Sequence, residues 1–137
     1  MAKKTKRMKD VSKPSAKQKI LIVDDEKDIR DSVKLLVEGM GYETGTAHNG
    51  KAALEALKQG KYDLVLLDVL MPEMSGRETL EEIRADPKLK RQKVAFMTVV
   101  HLSECGKGIM DRLRPVEYFQ KPIDVADFRR RLKRLLG

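Results

Sequence analysis

The chain of 137 residues is 41% hydrophobic and 36% charged, which fits one soluble globular domain with one core and leaves no room for a second folded output domain. No apolar run approaches the ~18 residues that span a bilayer, and no apolar stretch with a small-residue cleavage site follows the basic N-terminus, so neither a membrane span nor a secretory signal is expected. A single cysteine, Cys105, cannot form an internal disulfide and fits a reducing cytoplasm, while the net charge of +8 needs dissection before it is read as nucleic-acid binding.

That charge is concentrated at the start. Residues 1–19 carry eight basic side chains and one acid, Asp10, whereas the other 118 residues carry 21 basic and 20 acidic groups. With Pro14, several Ser and Thr and almost no large apolar residue, residues 1–18 read as a disordered basic tail. Two readings of the tail stand: a solubilising extension, which is preferred, and a weak, salt-sensitive contact with nucleic acid or an acidic partner. Of the nearly neutral domain over residues 19–137, no nucleic-acid contact is expected.

From Lys19 onward short apolar runs alternate with amphipathic stretches. The apolar runs are Ile20–Val23, Leu64–Leu67 and Val94–Val100, with shorter candidates at Tyr42–Ala47 and Val116–Phe119. The first and third lack polar alternation, as strands buried on both faces of a parallel sheet do. Ile29, Val33, Leu36, Val37 and Met40 form one face of a helix that Gly39 and Gly41 can end. Ala53, Leu54 and Leu57 mark a second helix closing at Gly60. Leu80 and Ile83 mark a third, with Ser75 as N-cap and Pro87 beyond its end. Glu104–Leu113 is a weaker fourth, interrupted by Gly106 and Gly108. In the last, Asp124 is the cap and Phe128, Leu132 and Leu135 the buried stripe. Five strands alternating with five helices predict an α/β fold, a doubly wound parallel sheet with helices on both faces.

In open sheets of this kind, ligands bind beyond the carboxyl ends of the strands. Those ends carry Asp24, Asp25 and Glu26 after the first run, Asp68 after the third, Thr98 in the fourth, and Lys121 and Pro122 past the fifth. Clustered carboxylates repel one another unless a cation is present, and oxygen-only ligation points to Mg²⁺. A solvated acidic turn at a helix N-terminus explains Asp24–Asp25 alone equally well. Singly, Lys121 reads as a surface lysine and Thr98 as a β-branched strand residue. Jointly with Asp68 they describe a phosphate site with a carboxylate nucleophile, a metal, a hydroxyl donor and a positive charge.

The segments KILIVDDEKDIRD, DLVLLDVLMPEMSG, MTV and YFQKP resemble, in order, the signature regions of the response-regulator receiver family of two-component signalling. The resemblance covers residues 19–137. Asp68 lies 43 residues after Asp25, Thr98 lies 30 after Asp68, and Lys121 lies 23 after Thr98, close to the family's spacing. It implies a flavodoxin-like, chemotaxis-receiver-like fold with sheet order 2-1-3-4-5. It also implies a phosphorelay function in which Asp68 accepts a phosphoryl group from a sensor histidine kinase or a histidine phosphotransfer protein. By position, Asp24 and Asp25 resemble the acidic pair that holds Mg²⁺, with Asp68 and the Leu70 backbone carbonyl as further ligands. Thr98 resembles the switch hydroxyl, Tyr118 the switch aromatic and Lys121 the phosphate-pairing lysine, and Lys121–Pro122 resembles the family's cis peptide.

The expected output is a partner protein, not identified by the sequence, bound through the fourth helix, fifth strand and fifth helix. The fifth helix is expected to expose Arg129, Arg130, Arg131, Lys133 and Arg134, as an acidic-partner surface or simply a solvated face. A monomer or weak dimer is expected, catalysing only its own phosphoryl transfer and slow dephosphorylation. Two departures bear on rates. The residue after Thr98 is small in the family and here is Val99, which can narrow access to the phosphoryl group. Leu70 and Val100 stand where the family often carries polar groups that orient water, so slow self-hydrolysis is expected. Against a haloacid-dehalogenase-like phosphatase, Leu70 stands where that class has a second Asp; no nucleotide-binding glycine motif is present. The remaining alternative is a phosphorylation-independent scaffold or weak nucleic-acid-binding module using the tail.

Overall fold

The computed structural model describes residues 17–99, 108 and 110–137. Its strands are β1 (Lys19–Val23), β2 (Glu43–Ala47), β3 (Leu64–Asp68), β4 (Val94–Thr98) and β5 (Glu117–Gln120). They pair in parallel in the order β2-β1-β3-β4-β5. Among the described residues there are four helices: α1 (Lys27–Gly39), α2 (Gly50–Gln59), α3 (Gly76–Ala85) and a C-terminal helix, Val125–Leu136. The helix expected over Glu104–Leu113 lies mostly outside the described residues, though Gly108, Met110 and Asp111 are helical. The tail likewise lies outside them, except for its last two residues. Gln18 is already part of the domain: its carbonyl accepts Glu43 N–H at 2.9 Å and its amide donates to the Leu136 carbonyl at 2.9 Å.

Side-chain alternation along the strands splits the apolar residues between two cores. Leu21, Val23, Val65, Leu67, Val94 and Phe96 face one side with α2 and α3, while Ile20, Ile22, Leu64, Leu66, Ala95 and Met97 face the other with α1 and the C-terminal helix. Every residue of β3 and β4 is buried, which is why these runs are continuously apolar. Truncating one such residue, Leu66→Ala for example, costs about 2–5 kcal/mol. β2, at the edge, reads Glu-Thr-Gly-Thr-Ala and is mostly half-exposed or exposed.

The helix ends follow their caps. Ser75 accepts Glu78 N–H at 3.1 Å while Glu78 accepts Ser75 N–H at 3.0 Å, a reciprocal capping box. Asn49 caps α2 and Asp124 caps the C-terminal helix. Gly41, just past α1, takes φ +98°, which a side chain disfavours. Two details correct the sequence reading. The C-terminal helix centres its buried stripe on Phe128, Leu132 and Leu136, with Leu135 half-buried on the flank of the same core. β4 ends at Thr98; Val99 beyond it is 61% exposed and Val100 lies outside the described residues.

Candidate functional site

Register builds the site. The last β1–β3 pair is Val23↔Leu67, so one step further sets Asp24 beside Asp68. Because β2 lies on one side of β1 and β3 on the other, strand order reverses between β1 and β3, and a crevice opens at their C-terminal ends. Carboxylate oxygens of Asp24, Asp25 and Asp68 lie within 4.8 Å of one another there. Asp24 and Asp68 are buried, and Asp25 is exposed. From beyond β5, the Lys121 ammonium reaches Asp24 Oδ2 at 2.7 Å and Asp68 Oδ2 at 3.6 Å. Its backbone N–H donates to the Thr98 carbonyl at 2.8 Å, and the Lys121–Pro122 peptide is cis.

The two buried carboxylates are held in place. Asp24 Oδ1 accepts the Glu26 N–H at 2.9 Å, and the Asp24 carbonyl accepts the Arg30 guanidinium at 2.8 Å. Asp68 Oδ1 accepts the Leu70 N–H at 3.3 Å. Burial pushes the Asp68 carboxyl up to about 6; Lys121 and the Leu70 N–H oppose the rise, while Asp24 and Asp25 add to it. One ammonium does not balance three carboxylates. An all-oxygen cluster with surplus negative charge fits a hard divalent cation, and Asp24, Asp25 and Asp68 are the side chains that would hold it.

Thr98, at the end of β4, is buried at 3% exposure. Alternation from Phe96 and the Phe96↔Tyr118 pairing put Thr98 and Tyr118 on the same face of the sheet. The Tyr118 ring stacks on Phe96 at 5.8 Å, and its hydroxyl donates to Asp111 Oδ1 at 2.6 Å. Burial and that carboxylate raise the phenol above its ordinary range. Leu70 and Val99 stand on the exposed rim at 54% and 61% exposure.

Sequence reasoning overlooked Arg30 and Gly76. A Cβ built at Gly76 collides with the Asp68 carbonyl oxygen and lies 2.8 Å from Val69 Cα, and the Gly76 N–H donates to the Val69 carbonyl at 2.9 Å. The available signal was a glycine directly after the Ser75 cap. The exposed basic row also needs correction. Arg131 is half-buried, bonded to Glu117, Asp127 and the Tyr118 carbonyl, and lies 4.7 Å from the Phe119 ring centroid. It braces β5 against the C-terminal helix, because position 131 flanks the buried stripe.

The family model described as the response regulator receiver domain matches residues 20–133. The chain belongs to the response-regulator receiver family. This receiver domain is 35% identical over 120 residues to the transcriptional regulatory protein CrdR of Helicobacter pylori, covering 88% of this chain and 55% of the relative. It is 32% identical over 121 residues to the polar-differentiation response regulator DivK of Brucella anthropi, covering 86% of this chain and 95% of the relative. Among solved structures, the response regulator TrrA of Thermotoga maritima, in complex with Mg²⁺-BeF, superposes with a TM-score of 0.76 at 37% identity, covering 87% of this chain and 99% of that one. The chain thus spans about half the length of several curated relatives, CrdR included, and nearly all of DivK. It is a two-component receiver domain with the flavodoxin-like order, a module of phosphorelay signal transduction. Among the described residues, no helix is long and apolar enough to cross a membrane.

Proposed function

We propose that this receiver stores a signal as a phosphoryl group on Asp68, taken from the phosphohistidine of a cytoplasmic sensor histidine kinase or histidine phosphotransfer protein. The observation that carries this reading is the meeting of Asp24, Asp25, Asp68 and Lys121 at one end of the sheet. A carboxylate oxygen of Asp68 attacks phosphorus as the phosphorus–nitrogen bond to histidine breaks, giving an acyl phosphate. The histidine nitrogen leaves with the bonding pair and takes up a proton. Mg²⁺ held by Asp24, Asp25, Asp68 and the Leu70 carbonyl would supply positive charge against the phosphoryl oxygens. Lys121 shifts its ammonium from Asp24 toward the new dianion, and the Thr98 hydroxyl donates to it. Tyr118 then turns toward the space Thr98 leaves and gives up its bond to Asp111. The altered face, with β5 and the C-terminal helix, is what a downstream protein reads.

The rim supports a long-lived signal. Leu70 carries no side-chain group that can orient water, its side chain is 54% exposed, and its backbone N–H donates to Asp68 Oδ1. Phosphoryl loss is therefore slow, on a scale well beyond seconds, and Leu70→Gln accelerates it about tenfold, equivalent to about 1.4 kcal/mol of barrier. A half-life of seconds for the wild-type acyl phosphate contradicts this. The primary test incubates the chain with acetyl phosphate, and separately with a phosphorylated kinase, with and without Mg²⁺, and weighs the intact protein. One added phosphoryl group, dependent on Mg²⁺ and absent from Asp68→Asn, is expected. Equal modification of Asp68→Asn, or none from either donor, overturns the reading.

A further inference from the structure

Two of the three clustered carboxylates have partners of their own, and the third has none. Lys121 and the Glu26 N–H hold Asp24, while Lys121 and the Leu70 N–H hold Asp68. Asp25 is exposed, and its carboxylate has no hydrogen bond or ion pair among the described residues. Its position is therefore set by the main chain that carries it. An amide is planar, so the direction of the Asp24 carbonyl fixes the Asp24–Asp25 peptide and with it the place of the Asp25 Cα.

That carbonyl belongs to a fully buried residue, and a buried carbonyl needs a donor. The neighbouring backbone does not provide one. Asp24 donates its own N–H to the Ala47 carbonyl at 3.2 Å, but among the described residues no backbone N–H donates to the Asp24 carbonyl. Its donor is Arg30 Nη1 at 2.8 Å, reaching back from one turn inside α1. The start of α1 also lacks a side-chain cap. Asn49, Ser75 and Asp124 cap the other three described helices, whereas the Glu26 side chain at the head of α1 caps nothing. Arg30 is half-buried and forms no ion pair among the described residues, so its bond to Asp24 is what orients it.

We infer, on the reading of this cluster as the Mg²⁺ and phosphoryl site, that Arg30 is a positioning residue for the metal. Through the Asp24 carbonyl it holds Asp25 where a cation shared with Asp24 and Asp68 meets its carboxylate. It also does what Lys121 cannot. In that reading the ammonium leaves Asp24 for the phosphoryl group, whereas the Arg30 bond is to the main chain and persists through the transfer. Charge and position make opposite predictions here. If only its charge mattered, removing a guanidinium beside a cation site would tighten Mg²⁺ binding, because like charges repel. Removing a brace from a metal ligand loosens it.

The test titrates the full chain with Mg²⁺ alone by calorimetry, comparing wild type with Arg30→Met and Arg30→Lys. Arg30→Met keeps an unbranched stem and removes the donor. It is expected to raise the Mg²⁺ dissociation constant about tenfold, and Arg30→Lys, which can still place one N–H on the carbonyl, recovers most of that loss. With acetyl phosphate, the Mg²⁺ concentration for half-maximal modification of Arg30→Met rises by the same factor, and the rate at saturating Mg²⁺ stays within about twofold of wild type. Without metal, the Asp25 and Glu26 amide resonances move in Arg30→Met and return toward wild type in Arg30→Lys. Those of β3 and the C-terminal helix stay in place, which certifies the fold of both variants. Mg²⁺ bound by Arg30→Met as tightly as by wild type, or more tightly, overturns the role of Arg30 and leaves the Mg²⁺ reading standing. A saturating rate that falls while Mg²⁺ affinity is unchanged overturns it too. Wild type that binds no Mg²⁺ overturns both.

Discussion

At the C-terminal edge of the sheet three carboxylates cluster and one ammonium pairs with two of them, whereas at the N-terminal edge one guanidinium serves four backbone carbonyls. Arg84, half-buried on α3, donates to Leu113 at 2.6 Å, Lys90 at 3.0 Å, Gln92 at 2.8 Å and Arg114 at 3.0 Å. It thereby ties the segment entering β4 to the segment before β5. Each guanidinium nitrogen there has an acceptor. At the other edge the charges do not balance, and the Asp68 carboxyl, buried among them, rises to about 6. This fold keeps its rigidity at one end, which fixes the strands, and accepts instability at the other, which stays poised for a cation and a phosphoryl group.

Four changes probe this contrast. Arg84→Ala has the largest expected effect, a loss of about 3–5 kcal/mol in denaturant unfolding, because four carbonyls lose a charged donor at once. Arg84→Lys recovers little, since one ammonium cannot span both segments. A loss below about 1 kcal/mol would remove Arg84 from its half of the comparison. Lys121→Met comes next. In EDTA at pH 7.5 it is expected to cost about 3 kcal/mol, because Asp24 and Asp68 lose their buried cation, and Mg²⁺ then raises its melting temperature more than it raises that of wild type. An equal Mg²⁺ response in the two proteins would sever the lysine from the metal site.

Asp68→Asn acts in the opposite direction. The Asp68 carboxyl titrates at about 6 in the folded chain against an ordinary 3.8. Folding therefore resists its ionisation. The penalty is absent below pH 3.8, grows as pH rises through 6, and is complete above it. In EDTA at pH 7.5 the variant gains about 2–3 kcal/mol, and the gain vanishes near pH 4. A gain that persists unchanged at pH 4 would show that charge is not its source. The smallest effect is expected from Asp111→Ala, which removes the acceptor of the Tyr118 hydroxyl and biases the ring inward by about 1 kcal/mol. Ring resonances of Tyr118 shifted toward those of the phosphorylated protein support that coupling; unchanged resonances break it.

Much of this was legible in the letters. β1, β3 and β4 are buried on both faces, so their apolar runs stand out, and the acids that end them mark the crevice. β2 and β5 were harder to bound, because Glu43–Ala47 and Glu117–Gln120 mix polar residues into partly exposed edge strands. Arg84 was invisible because its partners lie up to 30 residues away and a basic residue in a last helical turn reads as solvated. Arg131 was misread because position i+3 from Phe128 flanks the buried stripe and does not face outward. Lys121 sits closer to Asp24 than to Asp68, a preference that only distances reveal.

The most direct measurement is a crystal structure of this chain grown with Mg²⁺ and beryllofluoride, a mimic of the phosphoryl group. Beryllofluoride is expected on an Asp68 carboxylate oxygen, with Mg²⁺ held among Asp24, Asp25, Asp68 and the Leu70 carbonyl, and the Lys121 ammonium moved from Asp24 onto a fluorine. A metal bound elsewhere, or an Asp68 carboxylate without the fluoride while Lys121 stays on Asp24, would contradict it.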